Sequence, residues 1–208
     1  MHSERIGKKG HKGKAADRPA LFSYICQPLT DYLLVPSVSS ETRRFLPVGY
    51  YTSEDISTNA VFTIAGADLE LFGVLGSSMF LAWVGLVSSR LNSRFQISTT
   101  AVYNTFPFPS KTAQPKHERV THAAAEILHI RSLHTASTLA DLYDPLAMPS
   151  DLLSAHGRLD AAVDALYGRT KFVNLLEREA FLLGRYAELT ADLLTELPVK
   201  KKPRKKTD

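Results

Sequence analysis

Two consecutive arginines, Arg43 and Arg44, follow the hydroxyls of Ser39, Ser40 and Thr42 within residues 36–44. Guanidinium and hydroxyl groups are the donors that phosphate oxygens and guanine edges accept from, so the segment has the chemistry of a nucleic-acid contact. The same composition also reads as a solvated turn between strands, and the residues alone favour that reading. Arg90 and Arg94 form a second basic pair, in a polar joint between an apolar run and an aromatic–proline block. A third group, Asp141, Asp144, His156, Asp160 and Asp164, has the residue types of a metal or acid–base cluster. His156, Asp160 and Asp164 are spaced i, i+4, i+8, which puts them on one helical face. The reading expected of such a face is a capped, solvated helix edge with one satisfied histidine.

Other motifs exclude themselves by spacing. His117-Glu118 with His122 is one residue too long for a zinc-protease helix. At five residues the two rings are about 140° apart, against about 40° at i, i+4. Ser77-Ser78 lacks the Gly-x-Ser-x-Gly elbow of a hydrolase. No Gly-x-Gly occurs, so neither a dinucleotide fingerprint nor a Rossmann-type methyl-donor loop is present. No Pro-Pro dipeptide occurs, which excludes the Asn-Pro-Pro-aromatic motif that grips a flipped adenine in amino-methyltransferases. No Glu-x-Lys occurs, which removes the usual restriction-nuclease metal signature. Gly7, Gly10 and Gly13 make Gly-x-x-Gly steps without the strand and helix that a phosphate loop needs. No catalytic residue, cofactor site or metal site is expected within this chain.

At 208 residues and 44% hydrophobic content the chain can bury one core or two small ones. Its formal charge of +4 is unevenly spread. Residues 1–18 hold six Lys/Arg against two acids, and residues 200–208 hold six against one. Residues 19–199 hold 13 against 18, so the basicity belongs to the tails. Such tails are expected to be disordered; they either solubilise the chain or bind polyanions through counterion release without reading sequence. The single Cys26 forbids an internal disulfide and is expected to be a small buried hydrophobe in a reducing compartment. No apolar stretch follows the basic N-terminus as a signal peptide would, and no run reaches membrane-spanning length. A cytoplasmic protein without membrane contact is expected.

The elements that must position the basic residues are read from periodicity. Residues 32–35, 45–51 and 61–65 are β-like runs punctuated by Pro, Ser, Gly and Asn. Residues 68–75 suit one or two helical turns, and Ser77 or Ser78 suits the cap of a second helix reaching about residue 88. Residues 94–97 and 100–103 return to strand-like alternation. The Phe-Pro-Phe-Pro block at 106–109 cannot be helical, because each Pro removes an N–H and pushes its predecessor to extended geometry. After a linker at 110–116 the pattern is helical. Val120, Ala123, Ala124, Ile127 and Leu128 form one apolar stripe. Leu152, Ala155, Leu159, Val163 and Leu166 form a second, with Pro149 at its start and Gly168 at its stop. Leu176, Ala180, Leu183, Ala187 and Leu194 form a third, and a short turn at 139–145 joins the first two. Three such helices either close a small bundle or pack on the first half. The expected class is α+β: a basic tail (1–18), a small mixed α/β domain (19–112), an all-α helical domain (113–197) and a second basic tail (198–208).

Four blocks resemble a known family. They are Pro36-x-Val38-Ser39-Ser40-Glu41-x-Arg43-Arg44 with Pro47-Val48-Gly49, and Phe72-Gly73-Val74-Leu75-x-Ser77-Ser78-Met79 with Trp83. The third is Tyr103-Asn104-x-Phe106-Pro107-Phe108-Pro109. The last is Leu139-Ala140-Asp141-Leu142-Tyr143-Asp144-Pro145-x-x-Met148-Pro149, continuing through Ala155-His156, Leu159-Asp160 and Tyr167. In this order they resemble the C-terminal third of the MmeI-like restriction–modification enzymes, single polypeptides that couple an adenine-specific DNA methyltransferase to target recognition. The resemblance implies a target recognition domain ending near Pro109 and a helical C-terminal domain, both holding double-stranded DNA beside a methyltransferase core. That core, its S-adenosylmethionine and any nuclease domain are expected outside this chain, so the chain alone is not expected to be catalytic. The resemblance also makes Ser39, Ser40, Thr42, Arg43, Arg44, Arg90 and Arg94 candidate DNA contacts, with Trp83 and Phe72 in the core. Two other functions remain open at this stage. One is a stand-alone, sequence-nonspecific nucleic-acid-binding protein driven by its tails. The other is a partner-binding subunit that completes a separately encoded methyltransferase, marked by an exposed apolar patch.

Overall fold

The computed structural model describes residues 27–110, 114–169 and 171–196. Cys26 and the two basic tails lie outside them. Four strands come first: β1 (Tyr32–Pro36), β2 (Val38–Ser40), β3 (Gly49–Tyr51) and β4 (Val61–Ala65). Two helices follow, α1 (Leu69–Leu75) and α2 (Ser78–Val87), then β5 (Ser89–Leu91), β6 (Arg94–Gln96) and a π-helical turn at Thr99–Tyr103. The helical half contains α3 (Gln114–Leu133), α4 (Leu139–Leu142), α5 (Ser150–Leu166) and α6 (Leu175–Glu196). The strands form two antiparallel sheets, ordered β3-β1-β4 and β2-β6-β5.

Local chemistry explains most boundaries. Asp68 caps α1 by accepting from the Leu71 N–H at 2.8 Å. Ser77 caps α2, accepting from Phe80 N–H at 3.4 Å. α5 ends in a Schellman motif: Gly168 sits at φ 75°, its N–H donates to Ala165 C=O, and Arg169 N–H donates to Asp164 C=O. Thr138 and Asp141 make a reciprocal capping box for α4.

Several expectations change. Residues 36–44 are not one turn, because β2 forms inside them and joins a sheet made with β5 and β6. Only Gly49–Tyr51 of residues 45–51 is strand; Phe45, Leu46 and Val48 are buried without pairing as a strand. Residues 100–103, expected as a strand, lie in the π-helical turn, which Ser98 caps by accepting from Ala101 N–H at 3.1 Å. β-branched residues there gave a strand-like pattern that the cap and local packing override. α3 begins at Gln114, inside the expected linker. The third apolar stripe does not face the core: on α6, Leu182 and Arg178 are buried while Leu176, Ala180, Leu183 and Ala187 are exposed.

The choice left open for the helical half is resolved in favour of packing on the first half. One continuous apolar cluster runs from Leu33 and Val48 through Phe72, Phe80 and Trp83 to Ile127, Leu152 and Leu159. α1 crosses α3 and α5 so closely that a Cβ on Gly73 would lie 2.8 Å from Val120 Cγ1 and 3.1 Å from Leu159 Cδ1. Trp83 is buried and donates from Nε1 to Val102 C=O and Thr105 Oγ1, each at 3.2 Å. Among the described residues no single helix is long and apolar enough to cross a membrane; α1 and α2 together form a bent apolar pair, buried in this core.

The His156–Asp160–Asp164 face is buried rather than solvated. Asp160 Oδ1 accepts from Ser78 N–H at 2.8 Å and Oδ2 accepts from the Ser78 hydroxyl at 2.5 Å, so α5 supplies a second cap to α2. Burial pushes the Asp160 carboxyl up, and the two bonds from Ser78 oppose that rise. Asp164 forms a buried ion pair with Arg178 at 2.8 Å. His156 is fully buried, stacked on Phe45 with ring centroids 4.1 Å apart. Its Nε2 lies 2.6 Å from Tyr143 Oη, which itself accepts from Arg131 Nε at 3.0 Å and Nη2. Tyr143 therefore donates its proton to Nε2, and the imidazole is neutral with its own proton on Nδ1. Nδ1 faces the Gly76 carbonyl without closing a well-aligned hydrogen bond.

Burial, with the nearby Arg131 charge, pushes His156 down from 6.5 to about 3. Its contribution to stability is complete above the unfolded value of 6.5 and is lost as the pH falls, because the unfolded chain takes up a proton that the folded chain refuses. The expected loss is up to about 1.4 kcal/mol per pH unit below pH 6. Urea unfolding between about pH 7 and pH 5 should show this slope in the parent chain and a flatter one in His156→Gln. Equal slopes in the two proteins would remove His156 as its source.

Candidate nucleic-acid interface

The β2-β6-β5 sheet brings together residues that lie some 50 positions apart in sequence. Val38 pairs with Gln96, Ser39 with Phe95 and Ser40 with Arg94 on one side of β6. Ser89, Arg90 and Leu91 pair with the same three residues on the other side. Because successive side chains alternate between faces, the sheet sorts its residues into two sets. Ser39, Phe95 and Arg90 share the inner face, where Ser39 and Phe95 are buried. Val38, Ser40, Ser89, Leu91, Arg94 and Gln96 share the outer face, and all but the half-buried Ser40 are exposed.

The two arginines of the polar joint therefore differ. Arg90 lies over the Phe95 ring, 4.4 Å from its centroid, and makes an ion pair with Glu41. Its charge is neutralised by that partner and its stem packs on an aromatic face. Arg94 is exposed on the outer face and has no ion-pair partner among the described residues. It is flanked by Ser40 on one neighbouring strand and by Leu91 on the other. Gln96 sits two residues along the same face, where its Oε1 accepts from the Ser89 hydroxyl at 3.0 Å. That bond fixes the amide orientation and leaves the Nε2 donors outward.

The turn after β2 is held by its own hydroxyls. Ser40 Oγ and Thr42 Oγ1 are 2.9 Å apart, Thr42 N–H donates to Ser40 Oγ at 3.3 Å, and Arg43 N–H donates to Ser40 C=O at 3.4 Å. Arg44 is exposed and Arg43 half-buried, with neither engaged by an acid among the described residues. Four arginines and one glutamate thus surround a three-stranded sheet. Ser39 stands apart from the other candidates: its hydroxyl is buried and has no hydrogen-bond partner.

The sequence reading missed β5, Gln96 and Ser89. The available signal was Asn92-Ser93, a two-residue hairpin loop with Asn92 at φ 56°, the left-handed conformation that Asn tolerates best after Gly. A groove of about 540 Å³ lies elsewhere, between α3 and α5, floored by Ala123, Ala161 and Ala165. Its wall carries Arg158 paired with Glu126 through two bonds at 2.7 and 3.0 Å, which hold the Glu126 carboxyl below its usual range. Among the described residues no three His, Cys, Asp or Glu side chains are placed to hold a metal ion.

The family model described as the MmeI target recognition domain matches residues 1–110, and that of the MmeI C-terminal domain matches residues 112–194. The chain belongs to the MmeI family. It is 36% identical over 196 residues to the DNA methyltransferase A of Bacillus subtilis (strain 168), covering 90% of this chain and 22% of that relative. It also superposes on the Type IIL restriction-modification enzyme MmeI, whose structure was solved in complex with DNA. That match has a TM-score of 0.83 and 40% identity, over 91% of this chain and 25% of MmeI. The chain thus spans about a quarter of the length of these relatives, less than the third implied by the sequence blocks. In MmeI-family terms the two small sheets with α1 and α2 belong to the target recognition segment, and α3–α6 to the C-terminal domain.

The unpartnered hydroxyl on the inner face has a measurable consequence. Ser39→Ala removes a buried group that lost its water without gaining a partner, so the variant should be neutral or more stable by up to about 1 kcal/mol. A fall in thermal melting temperature would show that Ser39 has a partner in solution.

Proposed function

We propose that this chain is the DNA target-recognition part of a site-specific adenine methyltransferase of the MmeI type, and that the outer face of the β2-β6-β5 sheet reads the duplex. The observation that carries this reading is Arg94 and Gln96, unpaired by acids and side by side on one exposed face. The two are separated by two strand residues, about 6.6 Å, which matches twice the 3.4 Å step between stacked base pairs. A β-ribbon fits the major groove, where Arg pairs with guanine O6/N7 and Gln with adenine N6/N7. Arg43 and Arg44 lie in the turn that leaves β2 and are assigned to phosphates, with Ser40 and Thr42 holding the turn. Arg90 is assigned a supporting role, since Glu41 and Phe95 already occupy it. Ser39 drops out of the contact set, because its hydroxyl faces inward.

Methyl transfer and its S-adenosylmethionine are assigned to a core outside these 208 residues, on the same polypeptide or encoded separately. Support comes from the relatives, one of them a DNA methyltransferase by name, of which this chain covers about a quarter. The residues present do not suit that cofactor: every strand pair among the described residues is antiparallel, and the sequence has no Gly-x-Gly loop.

Two double variants separate the roles in fluorescence-anisotropy titrations against duplexes selected from a randomised pool. Arg94→Ala/Gln96→Ala should lose about 1–3 kcal/mol per base contact on the preferred duplex and bind other sequences as before. Arg43→Ala/Arg44→Ala should weaken all duplexes together and flatten the salt slope by about one unit per lost phosphate contact. Retained sequence preference in the first variant would rule out the sheet as the reader. Loss of all binding on deleting residues 1–18 and 200–208 would instead mark the chain as a nonspecific polyanion binder.

A further inference from the structure

Val38 and Leu91 are the two large apolar side chains on the outer face of the β2-β6-β5 sheet, 37% and 49% exposed, and neither belongs to the core cluster. Their placement is ordered. Val38 pairs directly with Gln96 from the β2 side, and Leu91 pairs directly with Arg94 from the β5 side, where the two flank the Asn92-Ser93 turn. Ser89 and Ser40 hold the other diagonal, opposite the same two β6 residues. The Ser89 hydroxyl engages Gln96 Oε1, and the Ser40 hydroxyl lies 2.9 Å from Thr42 Oγ1. Each row across the face thus holds one hydroxyl engaged within the protein, one polar side chain with donors facing outward, and one exposed apolar side chain.

This arrangement has a chemical counterpart on a DNA duplex. The major-groove edge of a base pair offers donors and acceptors, and its one apolar feature is the C5-methyl of thymine. Directly opposed residues on neighbouring strands have Cβ atoms about 5 Å apart, so an apolar side chain beside a polar one falls on the same base pair or the next. The two outer strands are about 10 Å apart, within the groove's width of about 12 Å, so both diagonal positions reach the base edges with the β6 residues between them. Against a purely polar edge, Val38 or Leu91 would cover donors and acceptors without replacing the water they lose. Against a methyl group, each buries apolar surface on both partners. We propose, on the reading that this face meets the major groove, that Val38 and Leu91 determine specificity by contacting thymine C5-methyl groups beside the bases held by Gln96 and Arg94.

Removing the methyl from the DNA tests this with the protein untouched. In the duplex selected from a randomised pool, each thymine of the preferred site is replaced in turn by deoxyuridine, and the full chain is titrated by fluorescence anisotropy. Binding should weaken about fourfold at two thymines, the effect of one buried methyl each, and stay unchanged at the others. Val38→Ser should abolish the response at one of the two and Leu91→Ser at the other. Both side chains are exposed, so both variants should keep the parent melting temperature. A preferred site without thymine, or one indifferent to deoxyuridine throughout, overturns the proposal. So does a thymine response that survives in the Val38→Ser/Leu91→Ser double variant, which would assign it to duplex shape. Absence of any sequence preference, or its retention in Arg94→Ala/Gln96→Ala, removes the sheet as the reader and the methyl contacts with it. Preference lost in Arg94→Ala/Gln96→Ala, with indifference to deoxyuridine in the parent chain, removes the methyl contacts alone.

Discussion

The guanidinium of Arg131 is the joint on which the two halves of this protein depend. From α3 it donates to the Val48 carbonyl at 2.7 Å, in the unpaired segment before β3, and to the hydroxyl of Tyr143 just beyond α4. It also lies over the rings of Phe72 and Tyr143, at 5.2 and 4.8 Å from their centroids. Tyr143 donates a hydrogen bond to Nε2 of His156 on α5, and His156 stacks on Phe45. One cation thus organises a loop of the recognition half, a helix of that half and three elements of the C-terminal half. Apart from His156 Nδ1 its side-chain polar atoms are paired, and breaking one of those bonds would leave a buried donor or acceptor alone, which costs more than a made bond returns. That condition fixes the tautomer of His156, the path of residues 45–48 and the seating of α3 across α1.

Much of this was legible in the sequence, and the failures share a cause. Caps and stops were readable because they are local: Asp68, Ser77 and Gly168 act within a few residues of themselves. The stripes of α3 and α5 were readable because their partners are simply apolar. The buried face of His156, Asp160 and Asp164 looked solvated because its partners, Tyr143, Ser78 and Arg178, come from three other elements. The same blindness affected the β2-β6-β5 sheet. Strands of three residues carry almost no periodicity, and β2 finds its partner more than 50 residues later. The stripe on α6 was correctly periodic and wrongly oriented: periodicity identifies an apolar face without saying what it meets.

The β2-β6-β5 sheet differs in kind from the rest of the fold. It is built from three short strands, its inner face is closed by Phe95 and Ser39, and its outer face is exposed apart from the half-buried Ser40. Side chains on that outer face are thereby released from the constraints that fix core residues, and substitutions among them carry little folding cost.

The cap that Asp160 provides to Ser78 has a consequence for how such proteins can be recombined. The chain passes from one family segment to the next near residue 111, which looks like a natural seam for exchanging modules. Yet a helix of the first segment begins on a carboxylate of the second, so a graft cut at that seam separates a helix from its cap and a guanidinium from its carbonyl. An exchange confined to the β5-β6 hairpin and β2 would leave the Asp160 cap and the Arg131–Val48 bond in place.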